Sequence, residues 1–191
     1  MKRKTFLNRL GLGAGGVVLL PSVSLLQSCS YEPKIRTALT QDDAVLLAEI
    51  GETIIPTSDA APGAKATNIG AYMLLMYEDC MPAEEQEVLL SGINELDAQA
   101  VNLYSDSFLN IDAAQKLKLL ETLQVEAEAH ELQNENIADA LPHYFGILKN
   151  LTVSGYFCSE IGMTQAQEYL PVPGKFEACI PYAKENKVWA L

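Results

Sequence analysis

The chain has 191 residues and carries 25 acidic against 13 basic side chains, a net charge of −12 at pH 7. This balance argues against a nucleic-acid partner, because such binding depends on neutralising phosphates with Lys and Arg. The four cysteines lack C-x-x-C and C-x-x-C-H spacings, which argues against zinc, thioredoxin-like and c-type haem sites in this chain.

Residues 1–28 read as an export signal. Four basic and no acidic residues precede the apolar, glycine-rich stretch 10–26, which is the order of an n-region and an h-region. The string RKTFLN is also similar to a twin-arginine motif whose second arginine is lysine, so either export route stays open. The alternative is an uncleaved anchor helix, although the apolar run is short for a span of about 20 residues.

The string LLQSC, residues 25–29, resembles a bacterial lipobox. The resemblance implies that Cys29 is diacylated and becomes the mature N-terminus, which leaves a net charge of about −16 on the remaining chain. Two acyl chains are enough for stable attachment to a membrane. We therefore expect a protein of the cell envelope, with residues 29–38 as a lipidated tether and 39–191 as the domain.

Helical periodicity runs through most of the domain, and no stretch alternates over enough residues to indicate a sheet. We predict a mainly α fold, a single small domain of about five helices. Thr40 with Asp43, and Asp112 with Gln115, have the spacing of helix-capping pairs. The first predicted helix ends at Pro56, and the second covers residues 68–78 with Tyr72, Leu75 and Met76 on one side. The third covers residues 82–104, and the fourth starts after Asp112. The fifth covers residues 141–157 and has Pro142 at its start.

The C-terminal part, from Ser159 on, is predicted to be an irregular Pro/Gly-rich tail. Four breakers interrupt every periodic pattern there, namely Pro171, Pro173, Gly174 and Pro181. Four aromatic residues in the same stretch argue against disorder, namely Tyr169, Phe176, Tyr182 and Trp189. We expect the tail to lie on a surface, its own or a partner's.

Groups that could carry catalysis are scarce. Glu126 and His130 are four residues apart on one predicted helix, but a carboxylate-bridged metal bundle needs a second Glu-x-x-His set, which the chain lacks. His143 follows Pro142 at a helix start, where a capping or surface role is expected. No G-x-S-x-G elbow is present either. We predict no catalytic residue and no metal site. If Cys29 is lipidated, three cysteines remain, and a disulfide between Cys158 and Cys179 is the expected pairing.

Three segments together resemble one known family. They are ETIIPTSDAAPGAKA at 52–66, LTVSGYFCSEIG at 151–162 and PVPGKFEACIP at 171–181. With the signal in front of them, they make the chain similar to gluconate 2-dehydrogenase subunit 3, the small or gamma subunit. The chain departs from that pattern by one extra alanine, Ala60–Ala61 before Pro62, and by Cys158 in place of threonine.

The resemblance implies an accessory role in an FAD-dependent sugar or sugar-acid dehydrogenase complex. In such complexes a large flavoprotein of the glucose-methanol-choline type holds FAD and oxidises the sugar. A multihaem cytochrome c, where present, passes the electrons to quinone. The small chain accompanies the flavoprotein through export and covers part of its surface, so this chain would itself hold no cofactor.

The resemblance also implies a set of packing or partner-interface residues. They are Pro56, Pro62, Gly63, Gly155, Tyr156, Ser159, Glu160, Pro173 and Gly174. Packing inside this domain is an equally weighted alternative for each of them. An alternative for the whole protein is a stand-alone lipoprotein that binds a carbohydrate or an envelope component with its loop and tail.

Overall fold

Five α-helices carry the fold, as the periodicity predicts. The computed structural model describes residues 32–172, 174, 179, 181, 183 and 187–190, and Pro33–Leu191 forms one compact unit. The helices are α1 (Ala44–Ile54), α2 (Ile69–Asp79), α3 (Ala83–Tyr104), α4 (Ala113–Asn134) and α5 (Tyr144–Phe157). Short 3₁₀ turns cover Gln41–Asp43 and Ala64–Thr67, and a π-helical segment covers Gly162–Ala166. The described residues contain no strand, only one isolated bridge between Glu168 and Trp189.

Side-chain caps set two of the helix starts. Asp112 accepts a hydrogen bond from the Gln115 amide at 2.8 Å, and the Gln115 side chain accepts one from the Asp112 amide at 3.1 Å. This capping box confirms the predicted start of α4. Thr40 and Asp43 form the second predicted box, which opens the 3₁₀ turn leading into α1.

The fifth helix starts three residues later than predicted, at Tyr144 rather than residue 141. Pro142 disfavours helical backbone at the residue before it. His143 is extended, with φ −66° and ψ 140°, and its side chain accepts a hydrogen bond from the Phe145 amide as the N-cap. The predicted capping role of His143 is therefore confirmed.

Helix α5 lies at the centre, in contact with α1, α2, α3 and α4. Glycines bring two of the helix pairs close together. At Gly70 in α2 a Cβ would stand 2.0 Å from the Ala44 carbonyl oxygen, and at Gly92 in α3 it would stand 2.0 Å from the Tyr144 ring. The core between the helices is mostly aliphatic, and its largest fully buried side chains are Phe108, Leu46, Leu47, Ile50, Ile69, Met73, Leu74, Leu89, Ile93, Leu96, Leu123 and Leu148.

Helix α2 packs two of the three residues predicted to share one side, Tyr72 and Met76, partly buried against the core. Its buried residues are Ile69, Gly70, Met73, Leu74 and Tyr77, whereas Leu75 is 54% exposed. The stretch 72–77 reads YMLLMY and has no polar face, so periodicity alone does not select the buried side.

The N-terminal segment joins the body earlier than the predicted domain start at 39. Arg36 is buried and pairs through its guanidinium with Asp43 and Asp97, each at 2.8 Å. Asn94 of α3 binds both backbone groups of Arg36 at 2.9 Å. Burial opposes the ionisation of Asp43, but hydrogen bonds from Arg36, Lys34 and Thr40 outweigh it and lower the pKa of Asp43 to about 2.

Candidate interaction site

The loop between α1 and α2, residues 55–68, is organised by one side chain of α1. The Glu52 carboxylate accepts hydrogen bonds from the Thr57 amide at 3.0 Å, the Thr57 hydroxyl at 2.8 Å and the Lys65 amide at 2.9 Å. The Thr57 hydroxyl in turn accepts one from the Gly63 amide at 3.0 Å. Side-chain hydrogen bonds to backbone amides, in addition to the prolines, therefore hold this loop.

Gly63 lies against this clamp, and its lack of a side chain is required by space. A Cβ there would stand 2.4 Å from Glu52 Oε1 and 2.5 Å from the Thr57 amide nitrogen. The backbone angles of Gly63, φ −78° and ψ −178°, are open to any residue. Any larger residue would thus displace the Glu52 carboxylate.

Tyr156 connects α5 to the same loop. Its hydroxyl donates a hydrogen bond of 2.6 Å to the Pro62 carbonyl, and the residue is almost fully buried. Burial and the nearby Glu52 carboxylate raise the pKa of Tyr156, so the phenol stays protonated and remains a donor. Two of the three segments that carry the family resemblance are therefore in direct contact.

Gly155, one residue earlier, lets α2 pack directly on α5. A Cβ at Gly155 would stand 2.5 Å from Ile69 Cδ1 and 2.5 Å from the nearest ring carbon of Tyr72. The loop, α2 and the C-terminal half of α5 thus form a closely packed platform.

An ion-pair network holds the far end of the loop. Glu49 of α1 accepts a hydrogen bond from Lys116 of α4 at 2.9 Å and also pairs with Lys65 of the loop. Lys116 donates a second bond, of 3.0 Å, to the Leu109 carbonyl. Burial opposes the ionisation of Glu49, but the two lysines outweigh it and lower the pKa of Glu49.

Ser159 organises the chain after α5, where an irregular tail was expected. Its hydroxyl donates to the Tyr156 carbonyl at 2.6 Å and accepts from the Gly162 amide at 3.0 Å. The π-helical turn Gly162–Ala166 follows at once, so the helical body reaches past residue 159.

Beyond that turn, the C-terminal segment presents apolar side chains to solvent. Its described part is closed by the bridge at Glu168, whose amide donates to the Val188 carbonyl and whose carbonyl accepts from the Ala190 amide, both at 2.9 Å. The exposed large side chains, which we call the tail patch, are Tyr169, Leu170, Val172, Val188 and Trp189. Clustered exposed apolar residues indicate an interaction surface, and Tyr and Trp are frequent anchors of protein interfaces.

The packing or interface residues that the resemblance implies differ in their exposure to solvent. Gly63, Gly155 and Tyr156 are buried, and their contacts lie inside the domain. Pro62 and Ser159 are half-buried, and Pro56, Glu160 and Gly174 are exposed. Pro173 lies outside the described residues. Glu52 and Glu49, which organise the loop, were missed because no sequence pattern marks a carboxylate that binds amides up to 13 residues away, or one that pairs with a lysine 67 residues away.

The cysteines differ from the expected pairing. Cys80, Cys158 and Cys179 are exposed free thiols in the structure, so no Cys158–Cys179 disulfide is formed there. Cys158 follows α5 directly as its C-cap and donates its amide to the Ser154 carbonyl at 3.0 Å. The lipobox cysteine, Cys29, lies outside the described residues.

The two histidines have structural partners. His143 caps α5, and burial followed by the neighbouring His130 lowers the pKa of His143. His130 lies 3.2 Å from the side-chain nitrogen of Asn134, one turn further along α4, rather than pairing with Glu126. Both histidines and Tyr144 line a cavity of about 440 Å³ between α3 and the start of α5. The Tyr144 hydroxyl is buried and has no hydrogen-bond partner among the described residues.

Two further findings concern metals and membranes. Within the part of the chain that the structure describes, no group of three or more His, Cys, Asp or Glu residues is placed to hold a metal ion. None of the helices described is both long and apolar enough to cross a bilayer.

Comparison with known proteins gives one match. A family model described as gluconate 2-dehydrogenase subunit 3 matches residues 41–174, a range that contains all five helices, the loop and the π-helical turn. Neither the curated proteins nor the solved structures gave a match. The match covers well over half of the chain and contains the first two segments that carry the resemblance and the start of the third, and so the chain belongs to the gluconate 2-dehydrogenase subunit 3 family.

Proposed function

We propose that this chain is the non-catalytic small subunit of a membrane-associated, FAD-dependent sugar or sugar-acid dehydrogenase. It supports the export, stability and membrane anchoring of the flavoprotein subunit, which is of the glucose-methanol-choline type and holds the FAD. A cytochrome c with haem c is a further partner in complexes that contain one. The observation that carries the proposal is the family match across the whole helical body.

The tail patch supplies a surface of suitable chemistry for the flavoprotein. Trp189 and Tyr169 are about half exposed, and Val172 and Val188 are largely exposed, in a segment whose two described parts are joined by the bridge at Glu168. A few buried anchors, Trp and Tyr prominent among them, provide most of the binding free energy of many protein interfaces. The net charge of about −16 on the mature chain would favour a partner surface that is neutral or basic.

The anchoring part of the proposal depends on Cys29. Lipid on this cysteine would hold the complex in the cell envelope on the extracytoplasmic side, facing the periplasm where there is one. With two acyl chains, attachment would be stable without a membrane-spanning helix.

A deletion strain tests this function. Without the chain, we expect the glucose-methanol-choline flavoproteins of the envelope, quantified by mass spectrometry, to fall in amount. Restoring the chain behind an ordinary cleavable signal, in place of residues 1–29, should restore the flavoprotein but release it from the membrane fraction. An unchanged flavoprotein level in the deletion strain would contradict the proposal and favour a stand-alone lipoprotein that binds a carbohydrate or an envelope component.

A further inference from the structure

Three exposed apolar side chains lie on the segments that meet where the N-terminal segment joins the body. Ile35, 83% exposed, precedes Arg36, and Val45, 63% exposed, lies two residues after Asp43. Leu109, 38% exposed, follows Phe108, whose amide donates to Asp97 at 3.2 Å. Since Arg36 binds both Asp43 and Asp97, one ion triad holds together the three segments that carry these side chains.

This junction is rigid. The side chains of Arg36, Asp43 and Asp97 are all at least 95% buried, so moving the segment away would leave uncompensated charges inside the protein. The two hydrogen bonds between Asn94 and the Arg36 backbone fix the segment to α3 as well. The direction in which the chain leaves the body is therefore set by the fold.

The distance from this junction to the proposed lipid is short. Cys29 precedes Pro33 by four residues and Arg36 by seven. At no more than about 3.5 Å per residue, Cys29 lies within about 14 Å of Pro33 and about 25 Å of Arg36. A lipid on Cys29 would therefore hold the junction, and not only the protein as a whole, at the bilayer surface.

We propose that the surface formed by Ile35, Val45 and Leu109, which we call the strap face, rests on the lipid bilayer. The inference rests on the proposed lipid anchor and adds a fixed orientation to it. The charges beside the strap face are mixed, with Lys34 exposed next to the acidic Glu32 and Asp42. Contact with the bilayer is therefore apolar, through burial of these side chains at the acyl boundary, and independent of anionic lipid.

Fluorescence quenching by brominated lipid tests the orientation. The full chain, exported and purified from membranes in a Trp189→Phe background, would carry one new tryptophan, either Ile35→Trp or Leu132→Trp. The two positions are matched in exposure, at 83% and 74%. Leu132 lies 16 residues beyond Lys116 along α4, or about 24 Å from the residue that contacts Leu109.

In vesicles of brominated phosphatidylcholine, we expect the tryptophan at position 35 to lose most of its emission and the one at 132 to keep it. Adding anionic lipid should leave this difference unchanged. Equal quenching at both positions, or none at 35, in protein whose Cys29 carries lipid by mass spectrometry would overturn the orientation and leave the anchor intact. Unmodified Cys29 in protein that stays out of the membrane would overturn both.

Discussion

At the scale of single residues, glycines decide how closely the platform packs. Gly155 permits direct contact between α5 and the Ile69 and Tyr72 side chains of α2. A Cβ at Gly146, in the same helix, would have one near neighbour, a Glu131 carboxylate oxygen at 3.7 Å. The two glycines therefore make a matched pair for separating packing from helix propensity.

We expect Gly155→Ala to lower the free energy of unfolding by about 1–3 kcal/mol, because the added methyl overlaps Ile69 and Tyr72. Gly146→Ala should instead raise it by about 0.5–1 kcal/mol, since alanine is the better helix former and the position is open. Urea unfolding of the two variants and the parent protein measures both. A Gly155→Ala variant as stable as Gly146→Ala would refute the close contact.

The resemblance predicts that Gly63, Gly155 and Tyr156 are important, but it does not show whether they contact residues of this domain or of a partner. A sequence segment shows which residues lie near each other along the chain and not which surface they meet in space. Tyr156 and Pro62 are 94 residues apart, and only the fold shows that they are bonded. Glu52 lies in a segment that carries the resemblance, but the sequence does not show that its carboxylate binds the Thr57 and Lys65 amides.

At the scale of helices, α5 depends on a titratable cap. Nδ1 of the His143 ring accepts a hydrogen bond from the Phe145 amide, and this requires the neutral imidazole. The charged and titratable groups that influence it are His130, Glu126 and Glu131 of α4 and Glu95 of α3. Burial and His130 prevail over the carboxylates, so the pKa of His143 lies below its ordinary value of 6.5.

We therefore expect stability to fall as the pH drops below about 6.5, because the unfolded chain then takes up a proton that folded His143 resists. His143→Asn keeps a capping side chain without titrating near this pH, and caps of this kind contribute about 1 kcal/mol. Melting temperatures of the parent and the variant, measured between pH 7.5 and 5, would show this fall in stability. Parallel pH profiles for the two proteins would argue against the cap as the sensitive group.

Helix positions were predictable to the extent that local chemistry sets them. The Asp112 capping box was read from the sequence, and the start of α5 was wrong by three residues because the His143 cap competes with helix propagation after Pro142. The buried side of α2 was not predictable, since residues 72–77 are apolar all round and the choice depends on how α1 and α5 enclose them.

At the scale of the whole molecule, distinct parts of one small chain would carry out distinct tasks. Cys29 would supply the anchor, the strap face would set the orientation, and the tail patch would meet the flavoprotein. The packed helices and the Glu52-bonded loop hold these parts in place. Neither the rigidity of the N-terminal junction nor the exposure of the tail patch could be predicted from the sequence, because both arise from contacts between distant segments.

Purification of the chain from its own membranes tests the central claim most directly. With a C-terminal tag and mild detergent, we expect a flavoprotein of the glucose-methanol-choline type to co-purify in equal amount and the visible spectrum to show bound flavin. Where the complex includes a cytochrome c, haem absorbance should accompany it. A folded, colourless chain that elutes alone, from cells that contain the flavoprotein, would contradict the assignment as a dehydrogenase subunit.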